Sequence, residues 1–361
     1  MVKSVYIHIP FCNNICSYCD FCKMYYNSSL VMKYLKELKQ EIELKYKGEI
    51  IDTLYIGGGT PSSLNINELK YLFEIIKIFK LSDNFEFTFE CNIDIDYGKL
   101  KLLYENKVNR LSIGIQTFND KLLKYLNRFH TKKEVINKIN LAKEIGFKNI
   151  NIDLIYAIKN QTLNDLDNDI DEYLKLNINH ISTYSLIIEE HTKLYIDHEK
   201  NISEDLDYEM YNHICNKLEE HGYIHYEISN FAKKGYESKH NLTYWNNNYY
   251  YGFGLGSSGY IGNIRYDNTR SINNYLKGNY VLNEHKLDIK ETIENEFILG
   301  FRKIKGINKK IFKNKYNIDI KEIESVKKLL KDNKLIDDGN YIFINKKYLY
   351  TSNDILIEFL N

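Results

Sequence analysis

Apolar strand-like runs alternate with helical stripes through the first half of the chain. Between the runs, apolar residues recur at helical spacing, as Val31, Leu35, Leu38 and Ile42 do. Parallel neighbours in a sheet need long crossover connections, so this alternation predicts a parallel α/β sheet. Six units are fewer than the eight of a closed TIM barrel, which leaves a partial barrel and a doubly wound sheet open. The runs are VYIHI (5–9), TLYIG (53–57), FEFTFE (85–90), RLSIGIQ (110–116), NINIDLIY (149–156) and HISTYSLII (180–188).

The remainder of the chain predicts two further segments. A long amphipathic helix at 203–222 precedes an aromatic and glycine-rich stretch at 240–262. From about residue 290 the pattern predicts three helices, a short strand pair and a final helix, which is typical of a mostly helical, winged-helix-like module. The predicted domains are therefore 1–200, 201–288 and 289–361.

Charge and hydropathy restrict the partners and the compartment. Lys+Arg and Asp+Glu both total 49, and this zero net charge argues against a nucleic-acid role for the C-terminal module. No stretch reaches the roughly 18 apolar residues of a membrane span, and the N-terminus has no signal-peptide run. We therefore expect a cytoplasmic protein, in which clustered cysteines are metal ligands or redox groups more often than structural disulfides.

Polar features follow five of the predicted strands where each strand ends. In parallel α/β folds the carboxyl ends of the strands meet at one rim, where ligands bind. We therefore expect one site at this rim. A module in which a bound metal only stabilises the fold would leave this convergence unexplained. The five features are Cys12, Gly57–Thr60, Glu90, Gln116 and Asp153.

Four of the six cysteines lie within CNNICSYCDFC, at Cys12, Cys16, Cys19 and Cys22. Zinc ribbons use two well-separated C-x2-C pairs, whereas here C-x3-C-x2-C occupies one loop after a strand. Three thiolates can bind three irons of a [4Fe–4S] cube and leave the fourth iron open, and we favour this over zinc or structural thiols. Cys22 is not assigned as a ligand.

The segment YIHIPFCNNICSYCDF resembles the opening of radical S-adenosylmethionine (SAM) proteins of the oxygen-independent coproporphyrinogen III oxidase group. The resemblance extends over nearly the whole chain and is weakest after about residue 305. It implies that Cys12, Cys16 and Cys19 hold the cube, and that the methionyl amine and carboxylate of SAM chelate the open iron.

The resemblance also implies a set of SAM-binding residues. The glycine-rich turn of GGGTPSS would hold the methionyl end of SAM, and Glu90 would pair with its ammonium. Gln116 and Asp153 would accept hydrogen bonds from the ribose, and Arg128, one of only five arginines, would reach the carboxylate. The sequence departs from the family at ECNI and YAIKNQT, where a proline and two glycines are lost near the rim. The full set is Tyr6, Tyr18, Gly58, Gly59, Thr60, Glu90, Gln116, Arg128 and Asp153.

The segment HNLTYW, residues 240–245, contains the only tryptophan. A single histidine among aromatic residues is more often a packed core residue than a ligand. HNLTYW, however, resembles the haem-binding signature of the haem-chaperone branch of this family, and the resemblance implies that His240 is a haem ligand. His225 is a weaker second candidate.

Two functions follow from the resemblance. The favoured one is a haem chaperone that binds the cluster, SAM and haem and delivers haem to acceptor proteins. The alternative is an oxygen-independent coproporphyrinogen III dehydrogenase, an enzyme that decarboxylates propionates. Those enzymes carry a fourth cysteine where Phe21 stands and a substantial extension before the first strand, whereas this strand starts almost at once. The resemblance further implies an electron donor, a cluster-dependent homodimer and membrane-associated, respiratory acceptors.

Overall fold

A computed structural model describes residues 1–360. Six parallel strands pair in chain order, each with the next, and the first and sixth do not pair with each other among the described residues. Together with the helices that cover them they form a partial barrel, as predicted. They are Ser4–Ile9 (β1), Ile50–Gly58 (β2), Lys80–Cys91 (β3), Arg110–Gln116 (β4), Asn149–Tyr156 (β5) and His180–Ser185 (β6).

Strands from the second half of the chain extend this sheet at both edges. They are Ile224–Glu227 (β7), Asn230–Ala232 (β8), Tyr250–Phe253 (β9), Ser258–Ile261 (β10), Ile264–Asn268 (β11) and Val281–Lys286 (β12). β8 pairs with β6 in antiparallel orientation, and β9 pairs with β1 in parallel. The order is β12-β11-β10-β9-β1-β2-β3-β4-β5-β6-β8-β7, so the sheet continues across residue 200, and the domain boundaries stay predictions.

The helices occupy the predicted intervals. Side-chain caps begin most of them; Asn65, for example, accepts from the backbone N–H of Glu68, whose carboxylate accepts from that of Asn65. They are Ser28–Lys45 (α1), Ile66–Ile76 (α2), Tyr97–Glu105 (α3), Asp120–Tyr125 (α4), Lys132–Ile145 (α5), Leu163–Lys175 (α6), Lys193–Ile196 (α7), Glu204–Glu220 (α8), Lys239–Trp245 (α9), Ile272–Tyr275 (α10), Ile289–Gly300 (α11), Lys309–Tyr316 (α12), Glu324–Lys331 (α13) and Ser352–Leu356 (α14).

The C-terminal module contains the predicted helices and strand pair. Leu335–Asp337 and Tyr341–Ile344 form an antiparallel hairpin, and a two-residue strand at Ile307–Asn308 adds a third member. Phe297 stacks on Phe359 with ring centroids 4.5 Å apart, which joins α11 to the end of the chain through an apolar contact. The winged-helix-like prediction therefore holds.

Alternation along the barrel strands separates an apolar layer from a polar interior. In β4, Leu111, Ile113 and Ile115 are fully buried in the main hydrophobic core, while Arg110 and Ser112 line a cavity inside the barrel. Successive side chains of a strand point to opposite faces, so one strand supplies both layers.

Helix α9, which carries the HNLTYW motif, packs against residues of β1 and β3 that precede the predicted rim. Ser4 Oγ lies 2.9 Å from Thr243 Oγ1, and the buried Glu86 accepts from the backbone N–H groups of Lys239 and His240, each at 3.1 Å. A carboxylate at a helix N-terminus satisfies otherwise unpaired N–H groups and complements the helix dipole. Glu86 therefore fixes the helix to the end of the barrel opposite the predicted rim.

Replacement of Glu86 by alanine is expected to lower the free energy of unfolding by about 2–3 kcal/mol, because two backbone N–H groups, that of His240 buried and that of Lys239 partly buried, lose their carboxylate acceptor. Urea unfolding followed by circular dichroism measures the change. The control Glu105→Ala, whose exposed carboxylate lies 3.9 Å from Lys101, should change it by less than about 0.5 kcal/mol. Equal stability of Glu86→Ala and Glu105→Ala would contradict the fixing role of Glu86.

Candidate active site

A cavity of about 400 Å³ opens at the carboxyl ends of the barrel strands. Cys12, Cys16 and Cys19 line it, and so do eight of the nine residues that the resemblance implies for SAM. The predicted rim is therefore a single site in three dimensions. The eight are Tyr18, Gly58, Gly59, Thr60, Glu90, Gln116, Arg128 and Asp153.

The cysteine loop is held by contacts from two other parts of the rim. Thr60 Oγ1 lies 3.5 Å from Cys12 Sγ, and Arg128 Nη1 lies 3.4 Å from Cys16 Sγ. Burial raises the pKa of the Cys12 thiol to about 11, so a bound cation is needed to hold it as a thiolate at neutral pH. Within residues 1–360, no three His, Cys, Asp or Glu side chains converge on a single-ion site. Each thiolate of an iron–sulfur cube binds a different iron, so its ligands need not share one point.

The glycine turn after β2 brings backbone against the cysteine loop. Gly58 has φ +115°, which few residues other than glycine adopt, and its N–H donates to Glu90 Oε2 at 3.0 Å. A Cβ on Gly59 would lie 2.7 Å from the carbonyl carbon of Pro10 and 3.0 Å from Cys12 Sγ. Because glycine has no side chain, this turn can approach Cys12 closely.

Gly59→Ala is expected to displace the Pro10 carbonyl group and the Cys12 thiol and to cost about 1–3 kcal/mol, as overpacking typically does. The measurement is iron and acid-labile sulfide content after anaerobic reconstitution, together with thermal unfolding. Gly98→Ala in α3 is the matched control, because its new Cβ meets no backbone atom, only side-chain atoms of Asp96 at 3.3 Å and Ile66 at 3.9 Å. Full cluster content in Gly59→Ala would contradict the close approach.

Glu90 lies half-buried beside the glycine turn. Tyr55 Oη donates to Glu90 Oε1 at 2.6 Å, and Gly58 N–H donates to the other oxygen. Burial raises the pKa of Glu90 to about 7, and the charge of Asp153 adds to the rise, while the hydrogen bonds and Arg110 oppose it. A buried carboxylate with this pKa gains most from a cationic ligand.

Gln116 and Arg128 carry unpaired polar atoms at the cavity. Gln116 has φ +73°, is 6% exposed, and its Oε1 has no hydrogen-bond partner. Arg128 donates from Nη2 to the Gly114 carbonyl at 2.6 Å and to Asn92 Oδ1 at 3.1 Å, whereas its Nε is unpartnered. Buried polar groups are normally paired, and strained backbone clusters at ligand sites. These groups therefore fit a polar ligand.

Asp153 faces the same cavity from β5. Asn151 Nδ2 donates to Asp153 Oδ1 at 2.8 Å, and burial raises the pKa of Asp153. Sequence reasoning missed the support around it: Tyr55, Arg110 and Asn151 all line the cavity. The scarcity of arginine in the sequence could have pointed to Arg110 as a site residue. Arg110 is 2% exposed and has no carboxylate within 4 Å among the described residues.

Tyr6 and Cys22 lie outside the cavity lining. Tyr6 Oη is 3.0 Å from His8 Nδ1, and His8 Nε2 is 2.7 Å from the Cys22 carbonyl oxygen. The predicted role of Tyr6 is therefore not supported by a place in the cavity wall. Cys22 instead packs near Gly256, where an added Cβ would lie 2.9 Å from its Sγ.

The predicted haem ligand His240 lies at the other end of the barrel. Its ring is 1% exposed; Nδ1 is 2.9 Å from Thr53 Oγ1 and Nε2 is 2.8 Å from Tyr244 Oη. Burial lowers the pKa of His240 to about 3, so the ring is neutral. His225 is also buried and stacks on Phe231 at 4.2 Å. Neither ring presents a free nitrogen to a cavity in this structure.

Comparison with known proteins identifies the family. Residues 6–173 match the radical SAM superfamily. The haem chaperone HemW of Lactococcus lactis subsp. lactis (strain IL1403) is 39% identical over 99% of this chain and 97% of its own length. The haem chaperone HemW of Bacillus subtilis (strain 168) is 44% identical over 87% of each. The chain belongs to the HemW family of radical SAM proteins. A solved structure, the coproporphyrinogen III oxidase HemN from Escherichia coli, superposes with a TM-score of 0.87 over 99% of this chain and 90% of that one. At 22% identity this likeness shows the fold alone.

Radical SAM membership implies a [4Fe–4S] cluster and SAM. The rim fits both groups: three thiols line one cavity, and the orphaned Gln116 and Arg128 atoms and the Glu90 carboxyl offer the polar and charged partners that SAM needs. Among residues 1–360, no helix is both long and apolar enough to cross a bilayer.

Proposed function

We propose that this HemW-family chain is a haem chaperone that holds a [4Fe–4S] cluster on Cys12, Cys16 and Cys19, binds SAM beside it, and passes haem to acceptor proteins. The observation that carries the proposal is the convergence of these thiols with eight predicted SAM residues on one cavity. Haem as the cargo is supported by two relatives, 39% and 44% identical to this chain, that are both named haem chaperones.

In the proposed site each side chain has a separate task. The glycine turn offers backbone groups at close range, and Glu90 is the partner for the ammonium. Arg128 is the partner for the carboxylate through its guanidinium, a fork suited to two oxygens. Gln116 and Asp153 take the ribose hydroxyls. When bound, a cluster of this kind supplies an electron for reductive chemistry and an open iron for SAM.

The alternative, coproporphyrinogen III dehydrogenase, is not the function we propose. The resemblance places a fourth cysteine of the porphyrin-forming enzymes where this chain has Phe21, whose side chain is 62% exposed. The proposal also includes a cytoplasmic location, an electron donor for the cluster, a homodimer, and membrane-associated respiratory acceptors of haem. The electron donor, the homodimer and the acceptors rest on the family resemblance, whereas the cytoplasmic location rests on the hydropathy pattern of the sequence.

Ligation of the haem iron by His240 stays a prediction, and it requires the ring to release Thr53 or Tyr244. The test is a haem titration in the Soret region of the intact protein, His240→Ala and Tyr244→Phe. If Nε2 ligates iron, Tyr244→Phe should keep or strengthen binding, because the competing phenol is removed while the ring remains. His240→Ala should then shift the spectrum and weaken binding.

The two variants separate ligation from packing. If His240 only packs, both variants should lose stability and keep the spectrum of bound haem. Failure of the intact, cluster-loaded protein to bind haem saturably would overturn the proposed function. Turnover of coproporphyrinogen III would then be measured next.

A further inference from the structure

Arg110 carries a buried positive charge that has no direct partner. Its side chain is 2% exposed and lines the same cavity as Cys12, Cys16 and Cys19, which we call the cysteine cavity. Within residues 1–360 the side chain makes no hydrogen bond, no carboxylate lies within 4 Å of it, and its buried Nε is unpartnered. Burial of a charge is costly unless the charge is compensated. A guanidinium at this place therefore needs compensation from charges farther away.

The sheet places Arg110 between the strands that carry the two carboxyl groups of the proposed SAM site. β4 lies between β3 and β5. On these neighbours, Glu90 pairs with Ser112 and Asp153 pairs with Gly114. Arg110 precedes Ser112 by two residues, so it lies on the same face of β4, about 7 Å farther from the rim. Its side chain and both carboxyl groups line the cysteine cavity, and Arg110 therefore contributes to the floor of that cavity.

The other titratable groups around Arg110 and Glu90 are neutral at pH 7. Burial lowers the pKa of His240 to about 3 and the pKa of His180 well below its usual range, and the charge of Arg110 lowers both further. Burial raises the pKa of the Cys91 thiol and of five neighbouring tyrosines, so these groups stay protonated. The tyrosines are Tyr6 of β1, Tyr55 of β2, Tyr184 of β6, Tyr226 of β7 and Tyr244 of α9.

The charge of Arg110 acts on both carboxyl groups in the same direction. Burial raises the pKa of Glu90 to about 7, and Arg110 opposes that rise together with two hydrogen bonds. Burial also raises the pKa of Asp153, and Arg110 opposes this rise more strongly than Arg128 does. A nearby positive charge favours the ionised form of a carboxyl group. One buried guanidinium therefore stabilises two carboxylates with which it forms no ion pair.

We propose that Arg110 is a positioning residue of the SAM site, whose fixed charge keeps Glu90 and Asp153 ionised while the site is empty. The two carboxylates are then ready to accept hydrogen bonds from the ammonium and the ribose as SAM enters. This inference rests on the proposed function and deepens it, because it adds to the SAM site a residue that acts through other side chains rather than on the ligand.

The test compares the SAM affinity of the intact protein with that of Arg110→Met, which removes the charge and keeps an unbranched side chain. Both full-length proteins carry the cluster and are titrated with SAM by calorimetry at pH 6.5 and 8.5. Loss of the charge should move the pKa of Glu90 upward from about 7 by about one unit. Affinity should therefore fall about sevenfold at pH 6.5, where fewer Glu90 side chains are ionised, and less than about twofold at pH 8.5. Protonation of SAM itself cancels in the ratio of the two affinities at each pH.

Two further variants separate the charge of Arg110 from its packing. Arg110→Gln, a second neutral variant that keeps a polar group inside the barrel, should show the same dependence on pH. Arg265→Met, in β11 and outside the lining of the cysteine cavity, is the matched control and should bind SAM like the intact protein at both pH values. Equal losses at pH 6.5 and 8.5 in the neutral variants, or unchanged affinity, would overturn this inference alone. Absence of saturable SAM binding to the intact protein would overturn the SAM site of the proposed function instead.

Discussion

Replacing any one of Cys12, Cys16 or Cys19 by serine is expected to abolish the brown visible absorption of the anaerobically reconstituted protein. The three thiols line one cavity and are the proposed ligands of three of the four irons. Loss of one thiol therefore leaves two irons without a protein ligand, the open iron and the one that this cysteine held. The measurement is absorbance near the cluster's visible bands together with iron content per chain. The effect should be close to complete, because serine is a poor ligand for this soft metal site.

Cys22→Ser is the matched control, since Cys22 belongs to the same loop but does not line the cavity. It should retain the chromophore and the iron content of the intact protein. A full cluster in Cys16→Ser, or loss of the cluster in Cys22→Ser alone, would show that the ligand set is different.

Replacing Glu90 by glutamine is expected to weaken SAM binding by about 30-fold or more, because the half-buried carboxylate proposed as the partner of the SAM ammonium loses its charge. For the intact protein, affinity should rise between pH 6 and 7.5, since the pKa of Glu90 is raised to about 7 and the carboxylate forms over that interval. Calorimetric titration of the variant should show a nearly flat pH profile. An intact protein with the same flat profile would contradict the role of Glu90.

Glu90→Gln weakens SAM binding, but at neutral and higher pH it should make the ligand-free protein more stable relative to the intact protein. The folded-state pKa of Glu90 is about 7, above its ordinary value of 4.5, so the folded protein holds this proton where the unfolded chain releases it. Stability contributed by the protonated carboxyl is therefore present at low pH and is lost as pH rises through about 7. Between pH 5 and 8 the ligand-free protein should lose roughly 2 kcal/mol relative to Glu90→Gln. Parallel pH curves for the two proteins, from urea unfolding, would contradict this.

If Glu90 favours SAM binding and disfavours the stability of the ligand-free protein, its position in the fold serves ligand binding rather than stability. Tyr55 and the Gly58 N–H both donate to Glu90, yet burial still raises its pKa. Tyr55→Phe removes one donor and keeps the ring, and should raise the pKa of Glu90 further. The midpoint of the SAM pH profile should then move to higher pH.

The barrel strands could be predicted because each depends on a periodicity contained within a few residues. The alternation in β4 already separates Leu111 and Ile113 from Ser112, and the same two-residue period decides which of them face the cavity. The rim could be predicted for a related reason. In a parallel sheet the end of every strand lies at the same edge, so Cys12 and Glu90 were expected to meet before any contact was known.

The parallel pairing of β9 with β1 could not be predicted, because nothing within Tyr250–Phe253 specifies a partner about 245 residues away. The support of Asp153 by Asn151, and the place of Arg110 in the cavity wall, likewise depend on how neighbouring strands twist and pack. The surroundings of Tyr6 also depend on the tertiary structure. Its hydroxyl is 3.0 Å from His8 and it does not line the cavity, and its role in binding SAM stays a prediction.

The sequence by itself determined the six-strand parallel frame, the cysteine spacing and the glycine turn, since each is a property of one short segment. Only the tertiary structure decided the position of the HNLTYW motif. His240 is buried because Thr53 and Glu86 hold it, and the Glu86 carboxylate that accepts its N–H is 154 residues away along the chain. Whether an imidazole is free to bind a metal depends on such partners, and these are brought to it by folding rather than by its neighbours in the sequence.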